Sequence, residues 1–233
     1  MKRQQIRAYK QFCPVAKGAE IFAERWTPLI LRELLCGSHR FNELRRGVPA
    51  MSQSLLSQRL KELEWVGVVE KRKDRTGKVW EYHLTDAGED FRVLVDQLGR
   101  WGKRWVFHEL REEDLDASLL MWDMHRAVDE KQLPRDRTVI HFHYPDAPQA
   151  HRRYWLVLDR GEVDICLHDP GFNVDLAFRS SLRTMTDIWM GMTTFDQAIR
   201  QGKLKTDGPN RLVRAFRNWF TLSAFAPEKP RNL

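Results

Sequence analysis

The sequence predicts an α+β fold in two parts, on three observations. Residues 1–105 repeat apolar positions at helical spacing in several short segments and then give a basic two-stranded pattern. Residues 106–233 contain four runs that alternate apolar and polar with period two, followed by further helical stretches. The charge divides at the same place. The 233-residue chain carries 39 Lys and Arg against 32 Asp and Glu, net +7. Residues 1–105 hold 21 basic against 13 acidic side chains (net +8), and residues 106–233 hold 18 against 19 (net −1). Domains at 1–105 and 106–233 follow, each long enough to bury its own core. Positive charge concentrated in the first points to a polyanionic partner.

Other classes are disfavoured at this level. The chain lacks the run of about 18 apolar residues that a membrane-spanning helix needs, so no membrane partner is expected. Met1-Lys2-Arg3-Gln4-Gln5 is basic but is not followed by an apolar run and small-residue cleavage site, so no secretory signal is read there. Cys13, Cys36 and Cys166 are odd in number and share no paired spacing. They suit a reducing, cytoplasmic compartment better than a disulfide framework.

In the first domain, Pro14 suits the first turn of a helix, and Val15, Ala19, Phe22, Ala23 and Trp26 fall on one face after it. Thr27 and Pro28 repeat that start signal, as N-cap and first residue, for a helix over 29–36 that Gly37 can end in a left-handed cap. A short helix from Arg40 turns Phe41 and Leu44 inward. After a Gly47-Val48-Pro49 turn, a second helix over 52–64 buries Leu56, Leu60 and Leu63 at i, i+4 and i+7, with Ser52 as N-cap. Strands over 68–72 and 79–84 follow, the second with Trp80, Tyr82 and Leu84 on a buried face, joined by a tip at 74–78 where Gly77 supplies the tight turn. Two helices across a tight turn, backed by a basic hairpin, make a winged helix-turn-helix.

That arrangement assigns roles. Gln53, Ser54, Ser57 and Gln58 lie opposite the leucine stripe and are the residues expected at base edges, since Gln pairs bidentately with adenine and Ser donates or accepts. Arg40, Arg59, Lys61, Lys73, Arg75 and Lys78 are expected at phosphates or in the minor groove. Thr85 is read as the cap of one long helix with Asp86 and Glu89 near its positive end. Phe91, Leu94, Val95, Leu98, Trp101 and Trp105 run down one stripe of it, and this stripe is expected to meet a second subunit.

The second domain opens with a helix over 115–129 that carries Leu115, Leu119 and Trp122 on one stripe, and Pro134 closes the linker after it. Strands are expected over 138–144, 153–159, 162–168 and 174–180, with Asp159-Arg160-Gly161 at hairpin length between two of them. Ile140/Phe142/Tyr144, Val163/Ile165/Leu167 and Val174/Leu176/Phe178 each present one apolar face. Helices over 181–190, 194–201 and 209–223 follow, with room for a strand over 203–206. Helices would then cover one face of a mostly antiparallel sheet.

Several ordered motifs of the first domain are familiar. Cys13-Pro14-Val15, Arg25-Trp26-Thr27-Pro28-Leu29-Ile30-Leu31-Arg32-Glu33-Leu34, Arg40-Phe41-Asn42-Glu43-Leu44, the 56–64 run Leu-Ser-Gln-Arg-Leu-Lys-Glu-Leu-Glu, Glu81-Tyr82-His83-Leu84-Thr85-Asp86-Ala87-Gly88, and Trp101-Gly102 resemble the HxlR family of bacterial transcriptional regulators. The resemblance covers about the first 105 residues. It implies a dimeric winged helix that binds near-palindromic double-stranded operator DNA and responds to small molecules or reactive electrophiles. Cys13 stands where that family commonly carries a cysteine, which in some relatives is a redox sensor, and a thiol at a helix N-terminus can have a depressed pKa. In the second domain, Asp187-Ile188-Trp189-Met190-Gly191, the 198–204 run Ala-Ile-Arg-Gln-Gly-Lys-Leu, and Asp207-Gly208-Pro209 resemble the sterol-carrier-protein-like domain. That resemblance implies an apolar tunnel for a hydrophobic molecule. Trp155, Phe178, Met185, Trp189, Met192, Phe195, Phe216, Trp219 and Phe220 are the residues expected to line it.

His141 and His143, two apart on a strand, share a face, with His151 and His168 downstream, but no further ligand stands at zinc spacing. Nucleophile elbow, P-loop and dinucleotide fingerprint are all missing from the sequence, so neither catalysis nor a cofactor is expected. The expected function is a cytoplasmic, dimeric DNA-binding transcriptional regulator with a C-terminal pocket for a hydrophobic effector. The rival is a hydrophobic-ligand carrier whose helix-turn-helix serves only assembly.

Overall fold

The structure is a computed structural model that describes residues 8–129, 132–134 and 136–231. The N-terminal pentapeptide read above lies outside the described residues. The chain divides into two compact units, 1–99 and 100–233.

In the first unit, α1 (Pro14–Phe22) starts at its proline with Cys13 as N-cap. Ala16 is its buried residue and Phe22 packs against the first unit's core, while Val15 and Ala23, expected on the same face, are exposed. The helix also stops at Phe22, and Trp26 is not on it: with φ of 79°, Trp26 is the left-handed N-cap of α2 (Thr27–Leu35). Thr27 is therefore the first residue of that helix rather than its cap. α3 (Phe41–Gly47) begins where the Glu43 carboxylate accepts the backbone N–H groups of His39 and Arg40, both at 2.9 Å. α4 (Gln53–Trp65) is capped by Ser52, whose hydroxyl accepts from Leu55 N–H. Its Leu56, Leu60 and Leu63 join Ile30, Leu31, Leu34 and Leu44 in one core.

Strands β1 (Val69–Lys73) and β2 (Trp80–Leu84) pair antiparallel, Val69 opposite Leu84 and Lys73 opposite Trp80. The expected long helix after them is two. Thr85 caps the one-turn α5 (Asp86–Glu89), which ends at Asp90, and α6 (Phe91–Trp105) follows. Gly88 is required where α5 meets the hairpin, because a Cβ there would stand 2.2 Å from the Val68 carbonyl oxygen.

The second unit holds a five-stranded sheet in the order β5-β4-β3-β6-β7. Its strands are β3 (Thr138–His143), β4 (Arg153–Asp159), β5 (Glu162–Cys166), β6 (Leu176–Ser180) and β7 (Leu204–Asp207). Only the β3–β6 pairing is parallel. Arg160 and Gly161 both take positive φ in the β4–β5 turn, as a two-residue hairpin of the right twist needs.

Four helices belong with the sheet: α7 (Ala117–Arg126), α8 (Leu182–Trp189), α9 (Phe195–Arg200) and α10 (Asn210–Trp219). The inward face of α7 is Ala117, Leu120, Met121 and Met124; of the expected stripe, Leu115 packs against that core, Trp122 is buried outside it and Leu119 is half-buried. Ile140, Phe142, Tyr144, Leu156, Leu176 and Phe178 meet the helices in the main core. Leu167 and Val174, expected on inward strand faces, fall outside the strands and are exposed. Val139, Trp155 and Val157 form a smaller cluster on the opposite sheet face.

Candidate nucleic-acid interface and ligand-binding domain

In the first unit, α4 and the β1–β2 hairpin carry the candidate DNA contacts. Gln53, Ser54 and Lys61 are exposed, while Ser57 and Gln58 are half-buried. The Ser54 hydroxyl lies 3.2 Å from that of Ser52, and the Gln58 amide donates to Glu62 at 2.9 Å. The N-terminal turn of α4 thus offers solvent a row of short polar groups, with its opposite side fixed by three buried leucines.

Arg59 departs from the expectation. Its guanidinium donates to Glu24 at 2.7 Å and also pairs with Glu62, one turn on along α4. It ties the segment after α1 to α4 and is already neutralised inside the unit. Arg40 is half-exposed and leans on wing carboxylates, 3.6 Å from Glu81 and 4.0 Å from Asp74.

The wing tip is built by Asp74. Its carboxylate accepts the Val79 and Lys78 backbone N–H groups and the Thr76 hydroxyl. Those donors, Val79 foremost, hold the carboxyl below its ordinary range, with Arg40 adding to the effect. Gly77 turns the chain at φ of 70°. Lys73, Arg75 and Lys78 stand exposed around this tip.

Trp80 is not buried as expected. A two-stranded ribbon has no layer to cover that end, and the indole is 49% exposed. The ammonium groups of Lys73 and Lys71 sit 4.4 and 5.1 Å from its ring centroid. The exposed aromatic at the wing was not legible, because alternation gives the side of a strand but not whether anything covers it.

Along α6 the expected stripe divides. Phe91 stacks on Phe22 at 5.4 Å, and Phe91 and Val95 pack on the first unit's own core. Leu94, Leu98 and Trp101, at i, i+4 and i+7, are each about half exposed. Trp105 is half-buried, with the Arg231 guanidinium 5.8 Å from its ring. Cys13 is half-buried at the N-cap of α1.

In the second unit, seven of the nine expected pocket residues meet in or against the helix-side core. Phe216 lies at its centre, 4.5 Å from Phe178, 5.3 Å from Phe195 and 4.4 Å from Phe220 between ring centroids. Trp155 is on the other sheet face, stacked on His141 at 4.8 Å. Met192 is exposed, and its sulfur takes the Lys103 ammonium at 3.0 Å. Those two stand apart from the aromatic cluster. A separate cleft of about 420 Å³ is lined by Gly102, Val106, Phe107, Leu110, Arg111, Glu113 and Asp114.

His141 and His143 do share a face, with ring centroids 6.3 Å apart, and His151 instead bonds Ser118 and Tyr154. Burial foremost, then neighbouring cationic groups, pushes both His141 and His143 below the ordinary imidazole range. Among the described residues, no group of three or more His, Cys, Asp or Glu is placed to hold a metal ion. No described helix is long and apolar enough to cross a membrane.

The HxlR-like helix-turn-helix family model matches residues 21–110. The HTH-type transcriptional regulator YvaP of Bacillus subtilis is 38% identical over 98 residues, covering 41% of this chain and 91% of YvaP. The chain belongs to the HxlR-like helix-turn-helix family. It is similar also to diamide-treated YodB of B. subtilis, whose crystal structure is 32% identical with a TM-score of 0.34 over 40% of this chain and 93% of that one. The SCP-2 sterol transfer family model matches residues 125–221. A weaker likeness links 48% of this chain to 17% of the sec-alkylsulfatase Pisa1 of Pseudomonas sp., at 17% identity and a TM-score of 0.40. This HxlR-family chain is therefore of the HTH transcriptional-regulator type and carries a C-terminal SCP-2 domain.

Proposed function

We propose that this HxlR-family chain binds near-palindromic double-stranded operator DNA as a homodimer, and that its SCP-2 domain takes a hydrophobic small molecule as effector. The observation that carries the reading is the α4–wing surface. Gln53 and Ser54 stand exposed at a capped helix N-terminus while Leu56, Leu60 and Leu63 anchor the other side, and the basic tip at 73–78 flanks them. The N-terminal turn of such a helix lies deepest in the major groove. Gln53, Ser54, Ser57 and Gln58 are assigned to base edges, and Lys61, Lys73, Arg75 and Lys78 to phosphates or the minor groove. Arg40 supports the wing through Glu81 and Asp74 and is assigned to the phosphate contacts beside it. Arg59 is withdrawn from the contact set because Glu24 and Glu62 already hold it.

Leu94, Leu98 and Trp101 are assigned to the subunit contact, since a half-exposed apolar stripe on a long helix gains most by burial against its own copy. The effector site is assigned to the cluster around Phe216, where bulky rings converge. An effector moves DNA affinity only through unequal affinity for two states of the protein. The reading gives the protein a cytoplasmic setting and no reaction of its own. Cys13 is the residue assigned to any response to oxidants, and Cys13→Ser abolishes that response if the assignment holds.

Duplex binding by the Lys73→Ala/Arg75→Ala/Lys78→Ala variant tests the reading. Loss of most affinity supports it. Unchanged affinity, or a wild-type chain that ignores DNA while binding apolar ligands, would favour the carrier reading.

A further inference from the structure

The sheet face opposite the helix-side core carries a row of basic side chains at one end. Arg153 on β4 pairs in register with His143 on β3, His143 with Arg179 on β6, and Arg179 with Lys205 on β7. Paired residues share a face. Tyr154, Phe142, Phe178 and Leu204, their chain neighbours, all point into the helix-side core, so the row points the other way. Neighbouring strands lie about 4.8 Å apart, so four strands set these groups along about 14 Å.

The row is uncompensated. Several other arginines of the same unit are paired: Arg137 with Asp159, Arg183 with Glu112, Arg217 with Asp196, and Arg100 and Arg104 with Glu228. Arg153, Arg179 and Lys205 are exposed and make no ion pair among the described residues. Arg152, next to the row, donates to the Ala147 carbonyl. Arg179, Arg153 and Arg152 all act electrostatically on His143. Like charges directly across strands destabilise a sheet, and Arg179 opposite Lys205 accepts that cost. An external polyanion removes it.

We propose that this face is a second, sequence-independent contact for the phosphate backbone of duplex DNA, made by Arg153, Arg179 and Lys205 around His143. The proposal rests on the DNA-binding reading above. A flat row of fixed charges suits a regular line of phosphates, which DNA presents at one charge per about 1.7 Å of axis. It suits a membrane less well, because membrane-docking faces carry exposed apolar side chains beside their cations. Here the exposed Phe172 lies under Arg137, at the other end of β3 from His143. Tethering to the winged helix raises the effective concentration of this face at any bound duplex.

The test is the salt dependence of full-chain binding to a duplex of scrambled sequence. Arg153→Gln/Arg179→Gln/Lys205→Gln is expected to flatten the slope of log K against log salt by about 2–3 and to weaken binding at least tenfold. Arg153→Lys/Arg179→Lys keeps the slope. Melting temperatures no lower than that of the wild type show that the fold is intact. An unchanged slope in the Gln variant, with loss in the Lys73/Arg75/Lys78 alanine variant, overturns this proposal and leaves the winged-helix reading standing. No binding by the wild type overturns both. Binding of wild type but not the Gln variant to phosphatidylserine vesicles, with the DNA slope unchanged, assigns the row to a membrane surface and likewise overturns the proposal.

Discussion

Arg59 and Glu24 hold each other at 2.7 Å, joining α4 to the segment that follows α1. The pair is largely shielded from solvent, and Glu62 engages the same guanidinium. A cation on the candidate reading helix is thus part of the scaffold that orients it. Arg59→Ala is expected to cost about 1.5–3 kcal/mol of stability, the range for a hydrogen bond to a charged group. It should leave the salt slope of DNA binding unchanged, whereas Lys61→Ala flattens the slope by about 1. Denaturant unfolding and salt titration of both variants check the contrast.

Gly88 sets how closely α5 approaches the hairpin. A Cβ there meets the Val68 carbonyl oxygen at 2.2 Å and Leu84 at 2.9 Å, and the first of these is backbone that cannot swing away. Gly88→Ala is expected to lose about 1–3 kcal/mol by overpacking, seen as a lowered denaturant midpoint.

Lys103 is a buried ammonium, with the Phe107 ring 3.9 Å away and the Met192 sulfur beside it. Burial lowers its pKa to about 8, against an opposing pull from Asp187. Between pH 8 and 10.5 the unfolded chain holds more protons at this site than the folded one, so the residue's contribution to stability rises with pH across that window. Below pH 8 both states are protonated and the burial penalty is constant. Lys103→Met is expected to stabilise the C-terminal unit at pH 7 and to remove its share of the alkaline rise. Melting curves at pH 7, 9 and 10.5 measure both effects.

Leu94, Leu98 and Trp101 expose an apolar stripe on α6. Leu94→Glu/Leu98→Glu is expected to shift the protein from dimer to monomer in analytical ultracentrifugation while retaining helix content. A wild type that sediments as a monomer at tens of micromolar would remove the subunit contact from the account.

Much of this was legible where one period sufficed. Leu56, Leu60 and Leu63 follow from spacing alone, as do the strand faces holding Ile140, Phe142 and Phe178 and the Ser52 cap. What escaped needed partners distant in sequence. Glu24 lies 35 residues from Arg59, so nothing local marks that cation as neutralised. Trp155 has the correct strand parity, but for the face opposite Phe178, because alternation separates two faces without saying which one the helices cover. The Arg153–His143–Arg179–Lys205 row exists only once four strands are in register, and β3 and β6, which carry its centre, are more than 30 residues apart in sequence.

The central claim is that the α4–wing surface reads a symmetric DNA site. Selection of bound duplexes from a random pool with the full-length chain, followed by salt titration on the winners, tests it most directly. The account predicts enrichment of an inverted repeat whose half-sites lie about one helical turn apart, with steep salt dependence. It also predicts loss of the enrichment in Gln53→Ala/Gln58→Ala. A pool that stays random, with or without weak salt-sensitive binding, would contradict it.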